Sequence, residues 1–129
     1  MKYSYSKDIQ ANFEDAENKV REALMDIGFG VLTEINMKDA FKVKLNLDYK
    51  NYKILGACNP TLAHEALEAE SLIGILMPCN IVIIDNEDGS TKVVFPNAKN
   101  LLEITNNNKI APLANRVDSI LKEAFDKLS

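Results

Sequence analysis

Soft ligands are scarce in this chain: among 129 residues there are two cysteines, Cys58 and Cys79, and one histidine, His64. A structural zinc site takes four protein ligands at short paired spacings, and neither a Cys-x-x-Cys nor a His-x-x-x-His pair occurs. The three candidates fall one short, so no metal and no cofactor are expected. Glycine is also sparse, at five residues, and Gly28-Phe29-Gly30 lacks the third glycine and the preceding strand of a dinucleotide fingerprint. No Gly-x-Ser-x-Gly element and no phosphate-loop lysine motif appears either. Basic residues form no run, and 15 Lys and Arg against 19 Asp and Glu leave a net charge of −4. The electrostatic attraction that dominates nucleic-acid binding therefore has no source, and no nucleic-acid partner is expected. The longest apolar stretch, Leu72 to Ile84, is broken by Gly74, Pro78 and Asn80, well short of the roughly 20 residues that cross a bilayer. No membrane span is expected. The opening Met1 to Asp8 is polar and alternating, without a signal-peptide core, which predicts a cytoplasmic protein with reduced thiols.

What is present is a core. With 47% hydrophobic residues, the chain is long enough for one domain, 1–129, and too short for two ordinary ones. Tyr3 and Tyr5 alternate with Lys2, Ser4 and Ser6, which predicts a first strand with an aromatic face on the core. Asn12 then precedes Phe13, Ala16, Val20, Ala23, Leu24 and Ile27, a helical spacing that Gly28 ends. Val31, Thr33 and Ile35 mark a second strand; Met37, Phe41 and Leu45 mark a short helix; Tyr52 to Ala57 reads as a third strand.

Asn59 can cap the next helix, about Thr61 to Ala69, with Pro60 in its first turn where a missing N–H costs nothing. Leu62, Ala63, Ala66 and Leu67 form its expected apolar stripe, opposite His64, Glu65 and Glu68. Ile81 to Ile84 reads as a central strand, covered on both faces or placed at a dimer contact. Asp88-Gly89 joins it as a hairpin to Thr91 to Phe95. A short helix near Ala98 to Ile104 and a polar loop at Asn106 to Asn108 come before a helix opened by Pro112. Leu113, Val117, Ile120, Leu121, Ala124, Phe125 and Leu128 form one stripe on that helix. The fold class expected is α+β: a two-layer sandwich, mainly antiparallel, with helices packed on one face of the sheet.

Two segments, Ala57-Cys58-Asn59-Pro60 and Met77-Pro78-Cys79-Asn80, flank the third helix and hold both cysteines. Cys58 just before a helix start is placed where partial positive charge lowers a thiol's pKa. The plainer reading makes both cysteines small core residues. His64 has Glu68 four positions on as an ion-pair partner, which explains it as a surface residue. Glu65 and Glu68 read as a solvated face, while Glu70, where the helix meets an apolar segment, is a carboxylate placed to fix a loop.

These residues carry a resemblance. Gly28 to Glu34, Tyr52 to Pro60, Ala63, Ala66-Leu67, Glu70 and Ile73 to Ile83 together are similar to the uncharacterised bacterial and archaeal family named domain of unknown function 302. Met77 stands where that pattern more often has Leu. The resemblance implies a small two-layer domain forming homodimers, and it supplies no catalytic residue. It also implies that the two Cys-Asn turns lie at the ends of neighbouring strands, where their side chains converge.

The leading expectation is a homodimeric cytoplasmic binding or sensor module holding a small ligand, with Cys58, Asn59, His64, Glu70, Cys79 and Asn80 as candidate site residues. The first alternative is a thiol-dependent enzyme or redox protein with Cys58 as nucleophile and Cys79 resolving or orienting. The second is a structural or assembly protein without a ligand, in which Leu72 to Ile84 makes core and dimer contacts.

Overall fold

The computed structural model describes residues 2–129. Strand β1 (Ser4–Ile9) leads into helix α1 (Phe13–Asp26), whose first turn is capped by the Asn12 side chain accepting from the Asp15 N–H at 2.8 Å. Gly28, at φ +82°, ends that helix in the left-handed region and turns the chain into β2 (Gly30–Asn36). Asn36 caps α2 (Met37–Leu45), and β3 (Tyr52–Cys58) follows. Asn59 then caps α3 (Pro60–Ala69), which begins on a proline as the sequence predicts. A 3₁₀ helix, Ser71–Leu76, precedes β4 (Cys79–Asp85); β5 (Thr91–Pro96), α4 (Ala98–Leu102), a short 3₁₀ turn Glu103–Thr105 and α5 (Ala111–Lys127) complete the chain.

The five strands form one sheet in the order β1-β5-β4-β3-β2, with every neighbouring pair antiparallel. The expected α+β class and antiparallel sheet are therefore present. Because β1 and β2 occupy opposite edges, α1 must cross the whole sheet to join them, and its Ala16, Val20, Ala23 and Leu24 are buried on the way. On the face beneath α1 and α5, alternate residues Leu55, Ala57, Ile81, Ile83, Val93 and Phe95 are nearly inaccessible. Leu113, Val117, Leu121, Ala124 and Phe125 of α5 close over them, and Phe125 packs edge-on to Phe95 at 5.4 Å. Burying an aliphatic or aromatic side chain is worth about 1.5–3 kcal/mol, so this two-layer core carries the stability of the domain.

The other face of the sheet has no such cover. Ile81 and Ile83 point into the core, while Val82 and Ile84 on the alternate positions stay half-buried, so within one chain β4 is covered on one face rather than both. Tyr3 also departs from expectation: it precedes the strand, is 68% exposed and contributes its carbonyl to the Asn97 N–H at 2.8 Å. The inward positions of β1 are Tyr5 and Ile9, with Lys7 between them lying over the Phe125 ring and donating to the Leu128 carbonyl. On α3 the buried stripe is narrower than its spacing suggests. Leu62 and Ala66 are buried but Leu67 is exposed, because the helix rests on α5 and the 3₁₀ segment rather than flat on the sheet.

One cluster has no counterpart in the hydrophobic pattern. Lys53, the inward-facing residue of β3 opposite Ile83, reaches Glu17 of α1 at 2.8 Å and Glu34 of β2 at 3.0 Å. Arg21, one turn along α1, bonds the same two carboxylates at 2.9 and 3.1 Å. Burial pushes the Glu17 carboxyl upward, but the bonds to Lys53 and Arg21 together outweigh it and hold it below its ordinary range. The Glu17 bond in turn raises the Lys53 ammonium above its usual value against the opposing effect of burial. Four charges thus fasten α1 to the β2 edge where the apolar core runs out.

Candidate functional site

The antiparallel register decides what meets at the end of the sheet. Ala57 of β3 lies opposite Cys79 of β4 and Gly56 opposite Asn80, so the two Cys-Asn segments, twenty-one residues apart, arrive side by side. Gly56 makes this approach feasible. A Cβ on that residue would overlap the Thr33 hydroxyl and come within 2.6 Å of Cγ of Pro78, so the proline ring sits on the bare backbone of the neighbouring strand. The preceding peptide, Met77-Pro78, is cis.

Two recesses flank this junction. The smaller, about 60 Å³, lies between the sheet and the helices and is bounded by Cys58, Asn59, Pro78 and Cys79 together with Phe29, Leu62, Ala66, Ile73 and Val117. The larger, about 340 Å³, opens on the uncovered side and is bounded by Pro78, Cys79 and Asn80 with Tyr3, Ser4, Ile75, Val82, Val94 and Pro96. They share Leu76, Met77, Pro78, Cys79 and Leu102, which form the partition between them.

Of the six candidate residues, four border these recesses. Both cysteines are free and half-buried. Burial pushes the Cys79 thiol up to about 11, with the adjacent Cys58 adding to the shift, so Cys79 remains protonated at neutral pH. The Asn59 side-chain oxygen Oδ1 accepts from the Leu62 N–H at 3.1 Å, capping α3. Asn80 is exposed and sits on the face away from α1 and α5. The other two candidates stand apart. His64 is 76% exposed on the outer side of α3, 3.3 Å from Glu68, and borders neither recess. Glu70 follows α3 and accepts from the Asn107 amide at 3.1 Å while the same amide reaches the Ala69 carbonyl, so it ties the polar loop before α5 to the end of α3. Among the described residues no group of three or more His, Cys, Asp and Glu is arranged to hold a metal ion. No helix among them is long and apolar enough to cross a membrane.

Residues 5–128 of the chain match the family described as "Domain of unknown function DUF302". The chain belongs to the DUF302 family. Its fold is shared by a solved structure from Bacillus stearothermophilus, described as an uncharacterized conserved protein DUF302. The two are 26% identical, superimpose with a TM-score of 0.90, and each is covered over 100% of its length. No curated protein matches the chain. DUF302 membership brings no assigned chemistry with it.

Of the residues shared by the two recesses, Leu102 on α4 carries no signal in the sequence, whereas Leu76 and Met77 lie in the stretch that runs into the second cysteine. Gly56 did carry a signal: a glycine inside a strand marks close backbone approach.

Proposed function

We propose that this DUF302 protein is a homodimeric cytoplasmic module that binds a small molecule at the end of the sheet, where the two Cys-Asn turns meet. The observation that carries the reading is the pair of recesses sharing the Leu76 to Cys79 wall, a concave and predominantly apolar setting with a few polar groups at its rim, as ligand sites commonly are. Site residues on this reading are Cys58, Asn59, Cys79 and Asn80; Glu70 acts one step away by fixing the Asn107 loop, and His64 is left out. Self-association is supported by the exposed apolar side chains Ile35, Val43, Leu45, Leu47 and Tyr49, which fall close together in sequence along β2, α2 and the loop that follows.

The thiol-enzyme alternative is weaker. A protonated, half-buried Cys79 is poorly suited to resolve a disulfide or to activate a neighbour, since the thiolate is the reactive form.

A thermal-shift screen over metabolites and fragments of every charge class tests the binding reading, with hits mapped by amide chemical shifts. Stabilising compounds should move the amides of Cys58, Cys79 and Asn80. An empty screen, or hits that map elsewhere, removes the proposal. Sedimentation of the same sample should give a dimer that Val43→Glu with Leu45→Glu converts to monomer.

A further inference from the structure

We infer that the larger recess takes an uncharged, predominantly apolar molecule and rejects anions of the same shape. This rests on the ligand-binding reading above and specifies its ligand. The recess has about 340 Å³ of space, inside the range typical of small-molecule sites. Among the described residues, none that borders it, or that borders the smaller recess behind the Leu76 to Cys79 wall, carries a charge. On the same sheet face Lys92, two positions along β5 from Val94, is already paired with Asp8 at 3.0 Å, so it is not free to neutralise an incoming carboxylate or phosphate. An ionic group entering here would give up water without gaining an opposite charge, and that cost is severe in an apolar setting. The whole chain, at net −4, repels anions further.

The recess does offer hydrogen bonds. Ser4 and Asn80 both border it, and among the described residues neither side chain makes a hydrogen bond to another protein group. An apolar body bearing one neutral donor or acceptor, such as a hydroxyl, arylamine or carbonyl, satisfies both the Val82 and Val94 floor and this rim.

Two fluorescent probes of nearly the same shape separate the outcomes: neutral N-phenyl-1-naphthylamine and its sulfonated counterpart 8-anilino-1-naphthalenesulfonate. The neutral probe should bind saturably and shift the Asn80 and Val94 amides, with the sulfonate bound at least about tenfold more weakly, the penalty for an unpaired charge. Asn80→Lys, at an exposed position, should bring the sulfonate's affinity up to or past that of the neutral probe. Equal or tighter binding of the sulfonate by the wild type overturns the inference while leaving ligand binding intact. Failure of both probes, alongside a screen that yields charged hits at the same amides, also overturns it. Failure of both probes with an empty screen removes the binding reading as well.

Discussion

Gly56→Ala is the smallest change that attacks the end of the sheet, and the structure fixes what it must displace. The new methyl carbon meets two neighbours: the Thr33 hydroxyl on β2 and, at 2.6 Å, Cγ of Pro78. These obstacles differ in kind. The threonine can turn about χ1 and move its oxygen away at the cost of leaving a preferred rotamer, about 0.5–1.5 kcal/mol. The proline ring is locked into the backbone that leads into β4, so relieving it means moving the strand entry itself, against the Ala57 to Cys79 pairing. Overpacking of a well-filled site costs about 1–3 kcal/mol, and the two obstacles together place Gly56→Ala in the upper half of that span. A domain of this size should then lose several degrees in Tm. Urea denaturation of the single variant, of Thr33→Ala and of the double variant forms a complete cycle. Thr33→Ala removes the oxygen and leaves only its Cβ at 3.4 Å, an ordinary contact, so the double variant should recover part of the loss and never all of it. A Gly56→Ala protein as stable as wild type would refute this account of the close approach, and full recovery in the double variant would show that Pro78 plays no part.

Two further outcomes test the electrostatics. Lys53→Met leaves Glu17, whose side chain is 13% exposed, with Arg21 alone, and should cost about 1–3 kcal/mol in urea. Because the Glu17 carboxyl is depressed in the folded state, its contribution is present above the ordinary glutamate range and lost as pH falls through the folded value. The acid-induced loss should therefore shrink in Lys53→Met, and an unchanged urea midpoint at pH 7 would contradict the role given to the cluster. Cys79 acts at the other end of the scale. The unfolded thiol ionises near 9 while the folded one holds its proton to about 11, so stability should fall by up to about 2 kcal/mol across that window. Tyr5 and Lys53 are raised in the folded protein and lose stability with rising pH too, so the measurement is the difference between wild type and Cys79→Ala. Parallel stability curves for the two proteins from pH 8 to 11 would show that the thiol is not desolvated.

Most of the layered fold could be read from local spacing because helices and strands bury one face and repeat with fixed periods. Asn12, Asn59 and Pro60 mark helix starts where caps are found, and Gly28 and Gly89 mark turns at φ +82° and +90°, whereas the Asn36 cap of α2 is not legible because that residue also continues the alternation of β2. What local spacing misses is what depends on register. Nothing near Lys53 in sequence reveals that it faces Glu17, thirty-six residues away, and an inward lysine breaks the alternation that otherwise identifies β3. The 3₁₀ segment Ser71–Leu76 was hidden for a related reason: Ile73 is buried while Leu72 and Ile75 are 77% and 88% exposed, so its apolar content suggests a deeper placement than it has.

The candidate site illustrates the same division. Cys58, Asn59, Cys79 and Asn80 could be singled out because unusual residue types recur at element ends, yet the same criterion also selected His64, which the helix turns outward toward Glu68. Composition marks where chemistry is permitted; strand pairing decides which of those positions meet. Here the deciding residue is Gly56, which carries no functional group at all. Its bare Cα lets Pro78 settle over β3, and that brings Cys79 opposite Ala57 and beside Cys58. The Leu76 to Cys79 partition between the two recesses therefore depends on a missing side chain one strand away, so substitutions at Gly56 should disturb both recesses together, whereas substitutions at Asn80 should disturb the larger alone.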